Sequence, residues 1–216
     1  MAHRGILGRE GRQVGYGVLL LMGICALGAL TVPTLGEAAG PWKAQIVDQE
    51  TKKPLEGVVV LAVWERRYTS PGGPAGGGYY DSEEVVTGPD GRFVIPAKWT
   101  FTFLPFLTVI KGPYFYIFKP GYGQWQFQGA DTWERYERSD RYQAAMAQLE
   151  ADGAVMELPP LKTREERLKF MREGVLTPAV VPAAGLKHYE AAINQERTSL
   201  GLPRVSLGWP PPGYKK

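Results

Sequence analysis

Cysteine and histidine are almost absent from this 216-residue chain, which holds one cysteine, Cys25, and two histidines, His3 and His188. A single thiol cannot form an internal disulfide bond or hold an iron–sulfur cluster, and so few imidazoles cannot build a zinc site of several histidines. A glycine repeat of the collagen type is also missing, although the chain contains 27 Gly and 18 Pro. We therefore expect a protein without a metal or another cofactor.

A strong net charge is absent as well. The formal charge is only +3, whereas proteins that bind nucleic acid usually carry a larger and clustered basic excess. The 44% hydrophobic and 12% aromatic content is too high for a disordered tail. The length fits one globular domain with extensions, and no nucleic-acid partner is expected.

Residues 1–38 have the pattern of a secretory signal peptide. A basic head with Arg4, Arg9 and Arg12 precedes an apolar run over residues 14–30, and small residues follow it. This order predicts cleavage after Ala38 and export to the periplasm or the cell exterior.

An uncleaved membrane anchor is the alternative, because residues 14–35 approach the ~20 apolar residues that a spanning helix needs. Pro33 and the small residues after it favour cleavage. Lipid attachment at Cys25 is disfavoured, since the bulky Ile24 stands where a small residue is required. Cleavage removes Cys25 and His3 and leaves a nearly neutral chain, so membrane contact is expected only if the segment is retained.

Residues 41–127 have the alternating, β-branched pattern of an antiparallel β domain. The run 57–64 has few polar residues, which predicts a central strand covered on both faces. The glycine-rich segment 69–78 is predicted to be a mobile loop. Further strands are predicted at 42–47, 80–87 and 92–96, with a turn at 88–91.

Residues 99–127 are the most apolar part of the chain after the N-terminal segment. Pro and Gly interruptions argue against a membrane span there. Both alternating faces of residues 114–118 are apolar, so one face can join a sandwich core while the other needs a cover. The cover is predicted to be either the C-terminal helices or a partner.

Three helices and one strand are predicted after residue 130. Capping boxes, in which the first and fourth residues bond each other's backbone, open helices at Asp131 and Thr163 that run to about 152 and 174. A third helix at 185–199 has Leu186, Tyr189, Ile193 and Leu200 on one side. The strand is placed at 154–158, and residues 208–216 form a Pro-rich tail.

Carboxylates offer the only catalytic alternative, because a Ser-His-Asp triad would have to use His188, which is expected to be exposed on its helix. Glu65, Asp81, Glu83, Glu84 and Asp90 lack the spacing of a calcium loop. Charge on an edge strand, which discourages aggregation, is the favoured interpretation. A carboxylate-based hydrolase of glycans or peptides remains the alternative.

Three segments taken together resemble the carboxypeptidase regulatory-like domain family. Residues 44–60 match its opening hairpin with Asp, Thr and Pro-Leu-Glu-Gly, residues 87–95 match its Thr-Gly-Pro-Asp-Gly turn and following strand, and residues 117–122 match its Lys-Pro-Gly-Tyr strand end. The resemblance implies an antiparallel transthyretin-like or immunoglobulin-like β-sandwich, here over 41–161 with a helical insertion at about 131–152. Residues 162–216 are then a C-terminal helical extension and tail.

The resemblance implies a scaffold or binding role, since modules of that family are usually non-catalytic. We expect an exported module that binds a protein or a surface polymer such as a glycan, or alternatively a membrane-anchored accessory subunit of an extracellular assembly. Loop 69–80 and segment 98–114 are the expected location of the site, because function tends to lie on loops of a rigid scaffold. The candidate binding residues are Tyr79, Tyr80, Trp99, Tyr114, Tyr116, Tyr122 and Trp125.

Overall fold

The computed structural model describes residues 38–70, 72–102, 107–123, 147–151, 153–173 and 181–209, together with residues 125, 144, 175, 177 and 178. The chain divides into two units, 1–35 and 36–216, and all described residues belong to the second. The predicted signal peptide, apart from Ala38, lies outside the described residues. Within the described ranges, no helix combines the length and the apolar character that a membrane span requires.

The described residues form a mainly β architecture, as predicted. β5, β2 and β8 form one sheet (sheet I), β4, β3 and β7 form another (sheet II), and β1 pairs with β6. Sheets I and II share a hydrophobic core. In chain order the strands are β1 (Ala38–Ala39), β2 (Trp42–Asp48), β3 (Val59–Ser70), β4 (Gly73–Val86), β5 (Arg92–Ile95), β6 (Lys98–Trp99), β7 (Thr108–Phe118) and β8 (Val155–Leu158).

The strand predicted at 154–158 is confirmed as β8, but its direction differs from the antiparallel prediction. β8 runs parallel to β2, with Ile46 opposite Met156, while the other strand pairs are antiparallel. β2 and β8 are far apart in sequence, so the connection between them is a crossover and not a hairpin that would force antiparallel pairing.

Strand β3 is the central strand of sheet II, as its β-branched run predicts. Val59 stands opposite Val86 of β4 on one side and Phe118 of β7 on the other. All six residues 59–64 are buried, because alternate side chains point into two different cores.

The first core lies between sheets I and II. Trp42 of β2 packs against Trp64 of β3 and Phe115 of β7, with ring centroids 5.8 and 6.1 Å apart. The other buried members from the two sheets are Ala44, Ile46, Val60, Ala62, Phe93, Ile95, Ile117, Met156 and Leu158.

The second core lies on the opposite face of sheet II, beneath the C-terminal helices α1 (Arg164–Glu173) and α2 (Lys187–Ser199). The four residues predicted to share one side near α2 are all buried there. The helices therefore provide the cover that residues 114–118 need, and no partner is required for it. This core contains Val59, Leu61, Val63, Tyr114, Tyr116, Phe118, Met171, Val181, Leu186, Tyr189, Ala192, Ile193 and Leu200.

The glycine-rich segment 69–78 is not the loop that its composition predicts. β3 continues to Ser70 and β4 begins at Gly73, so Arg67 stands opposite Gly77. Backbone groups alone make the ladder hydrogen bonds, so glycines can occupy a strand when the partner strand holds the register. At Gly77 a Cβ atom would come within 2.8 Å of the Arg66 carbonyl oxygen, which explains why a residue without a side chain fits there.

The helix predictions have different outcomes. The capping box at Thr163 is confirmed, because its N–H donates to Glu166 Oε2 at 3.0 Å and its Oγ accepts the Glu166 N–H at 3.1 Å. Most of the helix predicted at 131–152, including its capping box, lies outside the described residues. Of that segment, residues 144 and 147–150 are helical, and Leu149 is buried in the first core.

Asp48 closes the turn that follows β2. Its Oδ1 accepts the N–H groups of Thr51 at 2.7 Å and Glu50 at 2.9 Å, and its Oδ2 accepts the Tyr122 hydroxyl at 3.1 Å. The hydrogen bond from Thr51, followed by the others, holds the pKa of Asp48 below its ordinary value of 3.8.

We expect Asp48→Asn to lower the free energy of unfolding by about 1–3 kcal/mol at neutral pH, because the hydrogen bonds lose their charged acceptor and the amide nitrogen cannot accept the Tyr122 hydroxyl. A depressed carboxyl pKa contributes stability above the unfolded-state pKa and loses it as the pH falls through the folded-state pKa. The difference between the two proteins should therefore shrink below pH 3.8. Urea denaturation over a pH series measures it, and a difference that stays constant with pH would contradict the ionic role.

Candidate binding surface

Three of the seven predicted binding aromatics lie inside the cores. Tyr114, Tyr116 and Trp125 are only 2%, 1% and 2% exposed. Tyr114 and Tyr116 belong to the second core, and Trp125 belongs to the first. The helices and the packing of the sheets bury these rings. The prediction that they stack on a ligand at the surface is therefore wrong, and all three are core residues.

Three further candidates are half-buried and make structural contacts. The Tyr79 hydroxyl lies 3.1 Å from Ser82 Oγ, and the Tyr122 hydroxyl donates to Asp48. The guanidinium of Arg66 lies 5.6 Å from the centre of the Tyr80 ring. The hydroxyl groups of Tyr79 and Tyr122 and the ring of Tyr80 are thus already engaged within the domain.

Trp99 is the predicted aromatic that the structure leaves open, with 69% of the residue exposed. It stands in β6, which is held by two residue pairs with β1, and Ala38 is its partner. Other large apolar residues lie nearby at the same end of sheet II. We define the apolar patch as Tyr68, Trp99, Phe101, Leu107 and Val109, which are 41%, 69%, 50%, 40% and 38% exposed.

Two hydrogen bonds connect the segment after Trp99 to β4 and to the start of β7. The Phe101 N–H donates to the Tyr80 hydroxyl at 3.5 Å, and the Thr102 hydroxyl donates to the Thr108 carbonyl at 3.3 Å. The segment after β6 therefore lies against the start of β7.

The start of β7 in turn brings the remaining members together. Tyr68 of β3 stands opposite Thr108, and the Thr69 N–H donates to the Leu107 carbonyl at 2.9 Å. Val109 stands opposite Arg67 in the same ladder. The five members thus lie at one end of the sheet, with the side chains of Tyr68 and Val109 on its two opposite faces.

Among the charged residues on the strands next to the apolar patch, cations outnumber acids. Lys98 forms an ion pair with Asp81, and its Nζ lies 4.7 Å from the Trp64 ring centre. Lys111 stands opposite Glu65, which also pairs with Arg67 at 3.1 Å. Together with Arg66, the charged residues named here are four cations and two acids.

Sequence reasoning located Trp99 and the two segments 69–80 and 98–114, but it missed four members of the patch. Phe101, Leu107 and Val109 belong to the apolar run 99–127, whose composition does not separate exposed from buried residues, and Tyr68 follows the charged residues 65–67. Their exposure depends on tertiary packing around the ends of β3 and β7 and the segment after β6.

Compared with known proteins, the chain matches no family model, no curated protein sequence and no solved structure. The resemblance to carboxypeptidase regulatory-like domains therefore stays a prediction.

The carboxylates of the hydrolase alternative have structural partners. Glu84 of β4 accepts the backbone N–H groups of His188 at 2.9 Å and Tyr189 at 2.8 Å, both in the first turn of α2. Asp90 accepts the Arg92 N–H at 3.0 Å within the turn before β5. In the residues described here, no group of three or more His, Cys, Asp or Glu side chains could hold a metal ion.

A shallow cleft of about 260 Å³ lies beside the start of α2. Ser82 Oγ, which lines it, bonds to the Gly185 carbonyl at 3.4 Å and lies near the Tyr79 hydroxyl. The His188 side chain is exposed, as predicted. The cleft thus contains the residue types of a nucleophilic site, but the serine is directed to backbone and tyrosine instead of to the imidazole.

We expect Glu84→Ala to lower the free energy of unfolding by about 1–2 kcal/mol, because the first turn of α2 loses its acceptor. Leu186, which precedes the helix, has no side-chain group that could replace it. Chemical denaturation measures the change, with Glu83→Ala as the control, for which a change within about 0.5 kcal/mol is expected. If Glu84→Ala is as stable as the unmodified protein, Glu84 is not needed to cap α2 and becomes a candidate catalytic group again.

Proposed function

We propose that this chain is an exported, non-catalytic β-sandwich module that works by binding, in an accessory or scaffold role. The observation that carries the proposal is the apolar patch, where five large apolar residues are exposed at one end of sheet II. Large apolar side chains that are exposed near one another on an otherwise well-packed domain favour an interaction site there. The engaged states of Glu84 and Asp90 support binding over hydrolysis.

The sandwich is proposed to be of the transthyretin-like type found in carboxypeptidase regulatory-like domains. Its three matched segments supply turns with defined geometry in the structure. Asp48 closes the first, Gly91 has φ +69° in the second, and Gly121 has φ +81° in the third. In the second turn, a Cβ on Gly91 would come very close to the Ile46 carbonyl oxygen, so this glycine is required by space as well as by φ.

The composition of the patch favours an apolar partner over a glycan. Trp99 and Tyr68 carry polar groups, but Phe101, Leu107 and Val109 offer no side-chain hydrogen bond. Glycan sites combine ring stacking with several polar groups that fix orientation. Of the partners expected from the sequence, an apolar surface therefore fits this end of the domain better than a sugar polymer.

Photo-crosslinking in cells tests the proposal. We expect that replacement of Trp99 or Phe101 by p-benzoylphenylalanine gives light-dependent adducts. The control position is Val94, which is 54% exposed on β5 of sheet I, and should give none. The adduct mass identifies the class of partner: a discrete large addition for a protein, a broad ladder for a polymer, and a small addition for a lipid. Absence of adducts at both patch positions, or equal adducts at position 94, would contradict the proposal.

A further inference from the structure

An extended segment lies along α2 and is held there by its main chain. We call residues 202–207 the strap; they follow α2 and belong to no helix or strand. The Asn194 side chain accepts the Val205 N–H and donates to the Val205 carbonyl, both at 2.8 Å. Glu190 accepts the Leu207 N–H at 2.8 Å. These contacts bind the backbone of the strap and do not depend on its side chains.

The groups that bind the strap form one row on α2. Arg197 Nε donates to the Pro203 carbonyl at 2.6 Å and continues the series begun by Glu190 and Asn194. The spacing of four and then three residues places the three side chains on the same face of the helix. A row of groups that bind main-chain atoms is how a protein holds an extended peptide, with pockets for alternate side chains adding specificity.

The strap also has an apolar side, which faces the second core. Leu202, Val205 and Leu207 are half-buried and pack against that core, whereas the other three residues of the strap are exposed. The apolar residues thus stand at the first, fourth and sixth positions. We define the strap groove as the row of three α2 side chains together with the adjacent surface of the second core.

Asn194 is only 2% exposed on a helix that covers an apolar core. A buried amide is tolerated when its hydrogen bonds are made, whereas an apolar side chain would pack there without that requirement. The amide therefore serves to bind main chain that lies in the strap groove.

We infer that the strap groove is a recognition site for an extended polypeptide and that the strap is its intramolecular ligand. The partner is another protein with an extended segment that repeats the apolar pattern of the strap. The strap can leave without unfolding the sheets, because it forms no ladder and its apolar side chains are only half-buried. The strap groove contains no member of the apolar patch, so this inference goes beyond the proposed function and does not depend on it.

A binding measurement on the full chain tests the inference. The probe is a fluorescein-labelled synthetic peptide with the sequence of residues 201–209. Val205→Asp with Leu207→Asp releases the strap, because carboxylates are unfavourable against an apolar core. We expect fluorescence anisotropy to show that the peptide binds this released variant about tenfold or more tightly than the unmodified chain, where the tethered strap competes at high effective concentration.

Two matched variants show which groups bind the peptide. In the released variant, Asn194→Ala should weaken peptide binding about tenfold, because two hydrogen bonds to main chain are lost. Its exposed neighbour in α2 provides the control, and Gln195→Ala should change the affinity by less than about twofold. Absence of peptide binding to a folded released variant, or binding that is indifferent to Asn194, overturns the inference.

Hydrogen exchange of the unmodified chain decides the question if the released variant does not fold. We expect the amides of Val205 and Leu207 to exchange about tenfold or more faster than that of Ile193 inside α2, since the strap opens locally. Equal protection would make the strap a permanent part of the fold and overturn the inference. A concentration-dependent dimer of the unmodified chain that Asn194→Ala abolishes would assign the strap groove to a second copy and overturn the assignment to another protein.

Discussion

Replacing Tyr189 by alanine is expected to lower the free energy of unfolding by about 3–5 kcal/mol, as is usual when a large buried aromatic is truncated. Tyr189 is 2% exposed and joins α2 to sheet II. Its ring meets Tyr116 edge-on at 6.3 Å and Phe118 at 6.1 Å. Truncation would leave a cavity between helix and sheet that the two long strands beneath it cannot close.

Urea denaturation measures this change, and the neighbouring residue offers a matched control. His188→Ala is expected to change stability by no more than about 0.5 kcal/mol, because its side chain is exposed. A loss below about 1 kcal/mol for Tyr189→Ala would contradict the assignment of the C-terminal helices as cover of the second core. Those helices would then become available as a binding surface.

Removing Arg167 is the second change with a large expected effect. Its Nε and one Nη donate to the two carboxylate oxygens of Glu196, both at 2.6 Å. The same Nη also donates to Ser199 Oγ at 2.9 Å. Glu196 is 2% exposed. Because a buried carboxylate without its partner is costly, we expect Arg167→Met to lower the free energy of unfolding by about 3–5 kcal/mol.

Urea denaturation at neutral pH measures the loss. The hydrogen bonds to Glu196 raise the pKa of Arg167 above its ordinary value, so the substitution removes a charged partner of the buried carboxylate.

A double variant provides the control for that experiment. Arg167→Met with Glu196→Leu removes both charges and should recover much of the loss, since apolar replacement of a buried pair is often close to neutral. If the single and double variants are equally unstable, the loss comes from packing of the Arg167 stem and not from the unpaired carboxylate.

Both predictions concern the join between the helices and the sandwich, which bears on function. The sequence allows the C-terminal helices to be either a cover or a binding surface. Asn194 of α2 also holds the following segment, because it accepts the Val205 N–H and donates to the Val205 carbonyl, both at 2.8 Å. The apolar face of the helices is thus used within the domain, and the apolar patch is the surface that we propose for contact with a partner.

Local signals in the sequence predicted the elements that local physics controls. The β-branched run 59–64 folds as the central strand because covered strands lack polar residues. The Thr163 capping box forms because its two hydrogen bonds lie within four residues. By contrast, the glycine-rich start of β4 carries no such signal, and its strand structure depends on pairing with β3.

The binding surface was only partly predictable for the same reason. Composition gives the number of aromatic residues but not their surroundings, so Tyr114, Tyr116 and Trp125 were expected at the surface and lie in the cores. The carboxylate of Glu84 could equally have been free, but it accepts hydrogen bonds from a helix about a hundred residues later.

The sequence by itself determined that the chain is mainly β, that it has almost no thiol or imidazole to offer, and that an apolar segment precedes the domain. These properties depend on residue type and on spacing along the chain. Only the tertiary structure decided that α1 and α2 cover sheet II, and that Trp99, the strand partner of Ala38, is exposed. Burial and exposure depend on which distant segments pack together, and no local pattern encodes that choice.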